Sequence, residues 1–385
     1  MEILLVSHKY PPSTGGMEKQ SFELIKGLGS LTKIHMIVYE GTESRILFFF
    51  KLQSRINKVL RANPSIALIH FNDGLIAAVS LLHAGYKHVK RSATFHGLDV
   101  VFPSRIYQRF IFPKFNNFDL LFAVSNATAA ACIARGIAVE KIVVVKNGVD
   151  TVPATPVKRT IVDATLSSKY NINLHGKRLL VAIGRPVKRK GFSWFIIQVM
   201  PLLKEDVMLL LIGPVQQKRS FLTLLPSYLS NKMELFLGTP SDEAALHKLM
   251  QDPEVSQRVI RTGKIPRQEI NQLLGVADAF IMPNINVPGD MEGFGLVCLE
   301  ACMQGAKVFA AASGGITDAI TDQKNGRLLT SGDRNEWATA LNNSLSGSEP
   351  WQLTPEEVIQ FTAANFSWKK MSEEYYAHFS NLLKS

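Results

Sequence analysis

Short apolar runs rich in β-branched residues recur along this chain, each followed by a stretch of helical period, and the cycle runs through twice. Residues 1–8, 34–38, 66–71, 91–95, 120–124 and 142–146 make a first set of such runs. Residues 178–183, 207–212, 259–262, 279–282, 307–311 and 326–329 make a second. Runs that are apolar at nearly every position, not every second one, belong to strands covered on both faces, as in parallel sheets. Parallel neighbours need a long crossover, and a helix supplies it. The pattern therefore predicts an α/β fold with two doubly wound, Rossmann-like domains. A chain of 385 residues exceeds one ordinary core and suits two. Residues 150–158 carry two prolines, two threonines and no helical period, so the first domain is expected to end near there. The expected domains are 1–172 and 173–366. The segment 214–257 is longer than one crossover helix requires and reads as helices plus an ordered excursion.

Several function classes drop out early. No uninterrupted apolar run approaches the ~18 residues of a membrane-spanning helix. The first six residues lack the basic start and long apolar stretch of a signal peptide and read as a buried strand. Three cysteines, Cys132, Cys298 and Cys302, are too few for a disulfide framework. Cys298 and Cys302 share a helix face, but without histidine partners they make a poor zinc site, and buried thiols in a reducing cytoplasm fit better. The net charge of +11 is uneven: residues 1–172 hold 21 Lys and Arg against 11 Asp and Glu, and the remainder hold 22 against 21. The basic half faces an acidic partner or tolerates one, with nucleic acid and an anionic membrane as the usual choices.

Five places carry candidate chemistry. Glu292-Gly293-Phe294-Gly295 follows an apolar strand and leads into a helical run holding Glu300. Free backbone N–H groups at such a turn favour an anion, and a carboxylate beside it can accept hydrogen bonds from hydroxyls of the same ligand. A sugar nucleotide has both parts. Gly184-Arg185 through Lys190-Gly191 follows the second domain's first strand, where Arg185 and Lys190 could clamp a diphosphate and stabilise it as a leaving group. A solvated basic loop is the plainer alternative. Gly15-Gly16 after the opening strand permits close approach of backbone to a ligand, or is merely a flexible turn. His96, at the end of another strand in His96-Gly97-Leu98-Asp99, could bond a sugar hydroxyl, although a lone histidine is more often structural. Asn147-Gly148-Val149-Asp150 and Ser313-Gly314-Gly315-Ile316 are turns; the second adds a candidate diphosphate contact.

Taken in chain order, from Gly15-Gly16 through His96, Asn147, Gly184-Arg185 and Glu292 to Gly314-Gly315, the motifs resemble those of a retaining glycosyltransferase of family 4, with its Glu-x7-Glu signature, over nearly the whole chain. The resemblance implies the GT-B fold: two facing Rossmann-like domains with the active site in the cleft. It implies that the C-terminal domain binds the nucleotide sugar, and that a last helix from Ser367 crosses back onto the N-terminal domain. Arg185 and Lys190 match the diphosphate pair, Glu292 the carboxylate on the donor sugar, and Glu300 the one on the ribose hydroxyls. Gly293, Phe294 and Gly295 would contact phosphates and sugar through backbone. Lys264 and Ile265 lie where the family places the nucleobase, His96 near the transferred sugar, and Gly15-Gly16 near the phosphates and acceptor. The chain departs from the family at Thr317-Asp318, where Pro-Glu is common, and at Lys146, where an apolar residue is common. No Asp-x-Asp pair occurs, so metal-independent transfer from a UDP- or GDP-sugar, without a cofactor, is expected. The retaining outcome rests on the resemblance alone.

The acceptor is hinted at by residues 48–62. On a helical wheel Phe48, Phe49, Leu52, Ile56 and Val59 fall on one side, and Lys51, Arg55 and Lys58 on the other; no acidic residue occurs from 44 to 72. Arg105 and Arg109 sit among aromatics further on. Both segments suit docking on anionic lipid, or the stripe packs on the sheet and the cations are solvated. Docking points to a lipid-linked glycan or lipopolysaccharide precursor as acceptor, and to a monomer peripheral on the cytoplasmic face of the inner membrane. Rival readings are a sugar-nucleotide epimerase, a disaccharide phosphorylase, a silent scaffold or a nucleic-acid binder. The last lacks any helix-turn-helix, zinc-finger or RNP-type signature.

Overall fold

The computed structural model describes residues 1–215, 241–348 and 352–384. The chain divides into two compact units: one of 1–149, 291–296 and 365–385, the other of 150–290 and 297–364.

The first unit is built on a six-stranded sheet in the order β2-β1-β3-β4-β5-β6, parallel throughout. Its strands are β1 (Glu2–Ser7), β2 (Lys33–Val38), β3 (Ile66–Phe71), β4 (Lys90–Phe95), β5 (Leu120–Ala123) and β6 (Ile142–Val144). The second unit repeats the plan as β12-β11-β10-β7-β8-β9. Here the strands are β7 (Arg178–Ile183), β8 (Val207–Ile212), β9 (Val259–Gly263), β10 (Ala279–Met282), β11 (Val308–Ala311) and β12 (Arg327–Leu329). Every apolar run expected to be a strand is one, and the central strands are buried at almost every position. Burial of each such Leu, Ile or Val contributes about 1.5–3 kcal/mol. Helices Glu243–Leu249 and Pro253–Ser256 occupy part of the long segment 214–257 after β8; residues 216–240, over which the rest of that expectation falls, lie outside the described residues.

Helix Arg45–Ala62 settles the question its amphipathic pattern raised. Phe48, Leu52 and Ile56 are wholly buried in the core, so the stripe read as a lipid-facing surface is the packing face. Lys51 and Arg55 both reach Glu43, at 3.7 and 2.6 Å, just outside the acid-free window. What the helix leaves exposed is a different apolar set: Ile46 at 70%, Leu47, and Phe50 at 82%.

Helix Trp368–Lys384 packs within the first unit, burying Trp368, Met371, Tyr375 and Phe379. Tyr375 stacks on Phe122 at 4.3 Å. Gly148 of the Asn-Gly-Val-Asp turn lies so close to the Ser367–Trp368 backbone that a Cβ would stand 2.3 Å from the Trp368 nitrogen. That turn thus seats the helix: Val149 N–H donates to the Phe366 carbonyl at 3.0 Å. Beneath the helix a buried polar chain joins Ser92, His70, Thr94 and Tyr375. Burial pushes the His70 imidazole down to about 3, so it is held neutral. The three thiols are buried and unpaired to one another; Cys302 donates to the Asn325 carbonyl, and burial pushes it up to about 12.

Candidate active site

In both units the loops that carry chemistry leave the carboxyl ends of parallel strands, where helix starts and free backbone groups collect. Each unit brings part of the expected set together.

In the first unit, β4 delivers His96. Its backbone N–H donates to both Asp99 carboxylate oxygens, at 2.9 and 3.1 Å, and Gly74 N–H donates to the same carboxylate at 3.0 Å. Burial pushes the Asp99 carboxyl up, opposed by His96 and these N–H donors. The His96 ring is fixed as well. Its Nε2 lies 2.9 Å from the Asn72 carbonyl, which only accepts, so Nε2 carries the proton and in the neutral ring Nδ1 is the acceptor. Against this turn lies the Glu292 loop. A Cβ on Gly293 would fall 1.8 Å from the His96 carbonyl oxygen, and one on Gly97 would fall 2.8 Å from the Gly293 Cα. The two backbones touch face to face, and only glycine fits at both. Gly97 and Gly295 also adopt positive φ, +106° and +91°. Phe294 is buried beside Phe366, ring centroids 6.3 Å apart, and so contributes to the loop's anchorage. Gly16 opens helix Gly16–Gly29 and lies against Leu296; Gly15 sits over the Glu18 carboxylate, which pairs with Lys9. Thus His96, the Glu292 loop and the Gly15-Gly16 turn share one unit.

Two residues there escaped the sequence. His8, just past β1, donates from Nδ1 to buried Asp73, just past β3, at 2.8 Å. Burial would raise the Asp73 carboxyl, but His8 and the Ile76 N–H together hold it below its usual value. The Asn-Asp-Gly turn was a visible helix start, yet nothing local linked it to His8.

In the second unit, β7 ends in Gly184-Arg185. Arg185 is exposed, whereas Lys190 is only 7% exposed, its stem laid over Gly184. The neighbouring β10 releases the loop 283–290, and its contacts run to both sides. Ile285 N–H donates to the Arg189 carbonyl at 2.9 Å, and the Ser313 hydroxyl donates to Asn286 Oδ1 at 2.8 Å. The basic loop, the loop before Glu292 and the Ser-Gly-Gly turn therefore form one layer. Lys264 is exposed, while the Ile265 side chain is in the core, so only its backbone is offered to a ligand. Glu300, on helix Leu296–Cys302, is gripped by Arg267 through two bonds of 2.5 and 2.9 Å. Arg267 was not anticipated; it lies 33 positions from its partner. Among the described residues no group of three His, Cys, Asp or Glu could hold a metal ion.

With this geometry in place, known proteins are informative. The family description "Glycosyl transferases group 1" matches residues 165–356, and "Glycosyltransferase Family 4" matches residues 31–152. The chain belongs to the GT-B glycosyltransferases. The putative colanic acid biosynthesis glycosyltransferase WcaL of Escherichia coli is 25% identical over 315 residues, 78% of this glycosyltransferase and 66% of that relative. A GDP-mannose-dependent alpha-(1-6)-phosphatidylinositol monomannoside mannosyltransferase of Mycolicibacterium smegmatis is 26% identical over 378 residues, 89% of each chain. Among solved structures, Anabaena HepE in complex with UDP and glucose superposes with a TM-score of 0.72 at 18% identity, over 99% of this chain and 100% of that one. The α/β, GT-B expectation is met: two parallel six-stranded sheets in Rossmann-like domains.

Proposed function

We propose that this glycosyltransferase moves a hexosyl group from a nucleotide sugar to a hydroxyl of a glycan or lipid-linked acceptor in cell-surface polysaccharide or lipopolysaccharide synthesis. The observation that carries the reading is the backbone contact between Gly293 and His96-Gly97, which seats the Glu292 loop beside a histidine whose Nδ1 is an acceptor. In this reading Glu292 and His96 contact the transferred sugar, and Gly293, Phe294 and Gly295 present backbone to sugar and phosphates, near Gly15 and Gly16. Arg185 and Lys190 neutralise the diphosphate as it leaves, Glu300 takes the ribose hydroxyls, and Lys264 and Ile265 flank the base. The C1–phosphate bond breaks as the leaving group gains charge, the acceptor oxygen bonds C1 from the same face, and its proton leaves with the nucleoside diphosphate. In this reading the two cations stabilise the leaving group in place of a metal ion, and retention of configuration rests on the resemblance to family 4 alone. In this assignment residues 1–172 and 367–385 hold the acceptor and 173–366 the donor.

Relatives named for GDP-mannose and for UDP leave both bases in play. A lipid acceptor, as in the mycolicibacterial relative's name, suits an anionic membrane as partner. Phe50, Ile46 and Leu47 would enter the lipid, with Arg45, Lys51, Lys58, Arg105 and Arg109 on its headgroups and Arg55 held at Glu43. The enzyme would act as a monomer, peripheral on the cytoplasmic face; among the described residues no helix is long and apolar enough to cross a membrane.

The test is nucleoside diphosphate release from a panel of UDP-, GDP- and ADP-sugars in EDTA with a membrane extract as acceptor source. One donor should be turned over, and Glu292→Gln and Lys190→Ala should each lower the rate at least 100-fold with the fold intact. Wild-type rates in both variants would overturn the assignment.

A further inference from the structure

We propose that Arg189 is a positioning residue: its pairing with Asp290 locks the loop that carries Lys190 to the loop that leads into Glu292. The proposal rests on the reading of Lys190 and Glu292 as donor contacts.

Three ties join these loops. The Arg189 Nη1 donates to both Asp290 carboxylate oxygens, at 3.0 and 3.1 Å. The Asp290 side chain is fully buried and that of Arg189 nearly so, at 12%. On the same residue, the Arg189 carbonyl accepts from Ile285 N–H at 2.9 Å. At Gly191, φ is +66° and a Cβ would stand 2.0 Å from the Pro283 carbonyl oxygen, so the backbones themselves are in contact. The first two ties involve the residue directly before Lys190, and the salt bridge ends two residues before Glu292 in the chain. Asp290 is further held by its own N–H, which donates to the Val287 carbonyl at 3.1 Å.

A charge pair buried this deeply is not needed for stability, since apolar residues of similar volume pack as well or better. What it supplies is register. With the Asp290 charge met at that depth by Arg189, the pair ties the 283–290 loop to the basic loop. A diphosphate leaving group gains charge in the transition state, and misplacing the ammonium that meets it costs rate more than ground-state binding.

The test compares wild type, Arg189→Gln, Asp290→Asn, the double variant and Arg189→Lys by steady-state kinetics and by hydrogen exchange of peptides covering 184–191 and 283–292. Each neutralising single should exchange faster in those peptides and lose at least tenfold in kcat, with donor KM changed less than threefold. The double should be no worse than the poorer single, because the pair acts as one unit. Arg189→Lys, which keeps the charge and spares the fold, should recover part of kcat. Unchanged exchange, kcat within twofold of wild type, or losses that multiply in the double would overturn the proposal. Should wild type turn over no donor, the transferase reading fails, and exchange alone decides whether the pair locks the loops.

Discussion

Replacing Gly293 by alanine tests the site through a single methyl group. The added Cβ would lie 1.8 Å from the His96 carbonyl oxygen and 2.8 Å from its carbonyl carbon. Real Cβ contacts almost never fall below 3.0 Å, so the two backbones must part by roughly 1.2 Å. Both partners are backbone, and neither can rotate away as a side chain would. The His96 peptide is also held through its N–H by Asp99, so the Glu292 loop is the part that yields. Overpacking of this kind costs about 1–3 kcal/mol, and for a unit of this size each kcal/mol lowers Tm by about 2–4 °C. A shift of roughly an ångström in a catalytic group costs about 100-fold in rate. Gly293→Ala should therefore melt several degrees lower and release nucleoside diphosphate about 100-fold more slowly. Gly29 is the control: its Cβ would meet nothing within 4 Å at the end of a helix, so Gly29→Ala should be neutral or slightly stabilising. If Gly293→Ala matches wild type in Tm within 1 °C and in rate within twofold, the contact with His96 does not position Glu292.

Two further expectations are independent of that one. His70 is depressed to about 3 in the folded protein, so the unfolded chain binds the extra proton between about pH 6.5 and 3. Its contribution is intact above pH 6.5 and falls with acidification, by about 2 kcal/mol from pH 7.5 to 5; urea midpoints across this range should show the slope, and His70→Gln should flatten it. For lipid docking, Phe50→Ser and the triple change of Lys51, Arg55 and Lys58 to Ser should each lower cosedimentation with phosphatidylglycerol vesicles at least tenfold, Phe50→Ser without altering donor turnover in detergent. Equal binding by both variants and wild type would remove the membrane from the proposal.

The strands, their parallel arrangement and the two-fold repetition of the plan were legible because they depend on local composition: a buried parallel strand must be apolar at nearly every position, whatever lies beyond it. The loops were legible for a similar reason. Gly97, Gly191 and Gly295 stand where φ is positive, and glycine there marks the chain's own conformation. What covers the helix 45–62 was not legible. The same wheel serves a core face and a lipid face, and only the packing of Phe48, Leu52 and Ile56 decided between them. The remaining decisions join positions distant in sequence. His8 with Asp73 and Arg189 with Asp290 meet because neighbouring strands, β1 and β3 in one sheet and β7 and β10 in the other, release their loops at the same edge, and Arg267 with Glu300 and Gly293 with His96 are likewise joined by tertiary packing across long stretches of chain. A residue's own neighbourhood dictates the element it joins, but the partner that holds its charge is set by strand order, which local pattern does not encode.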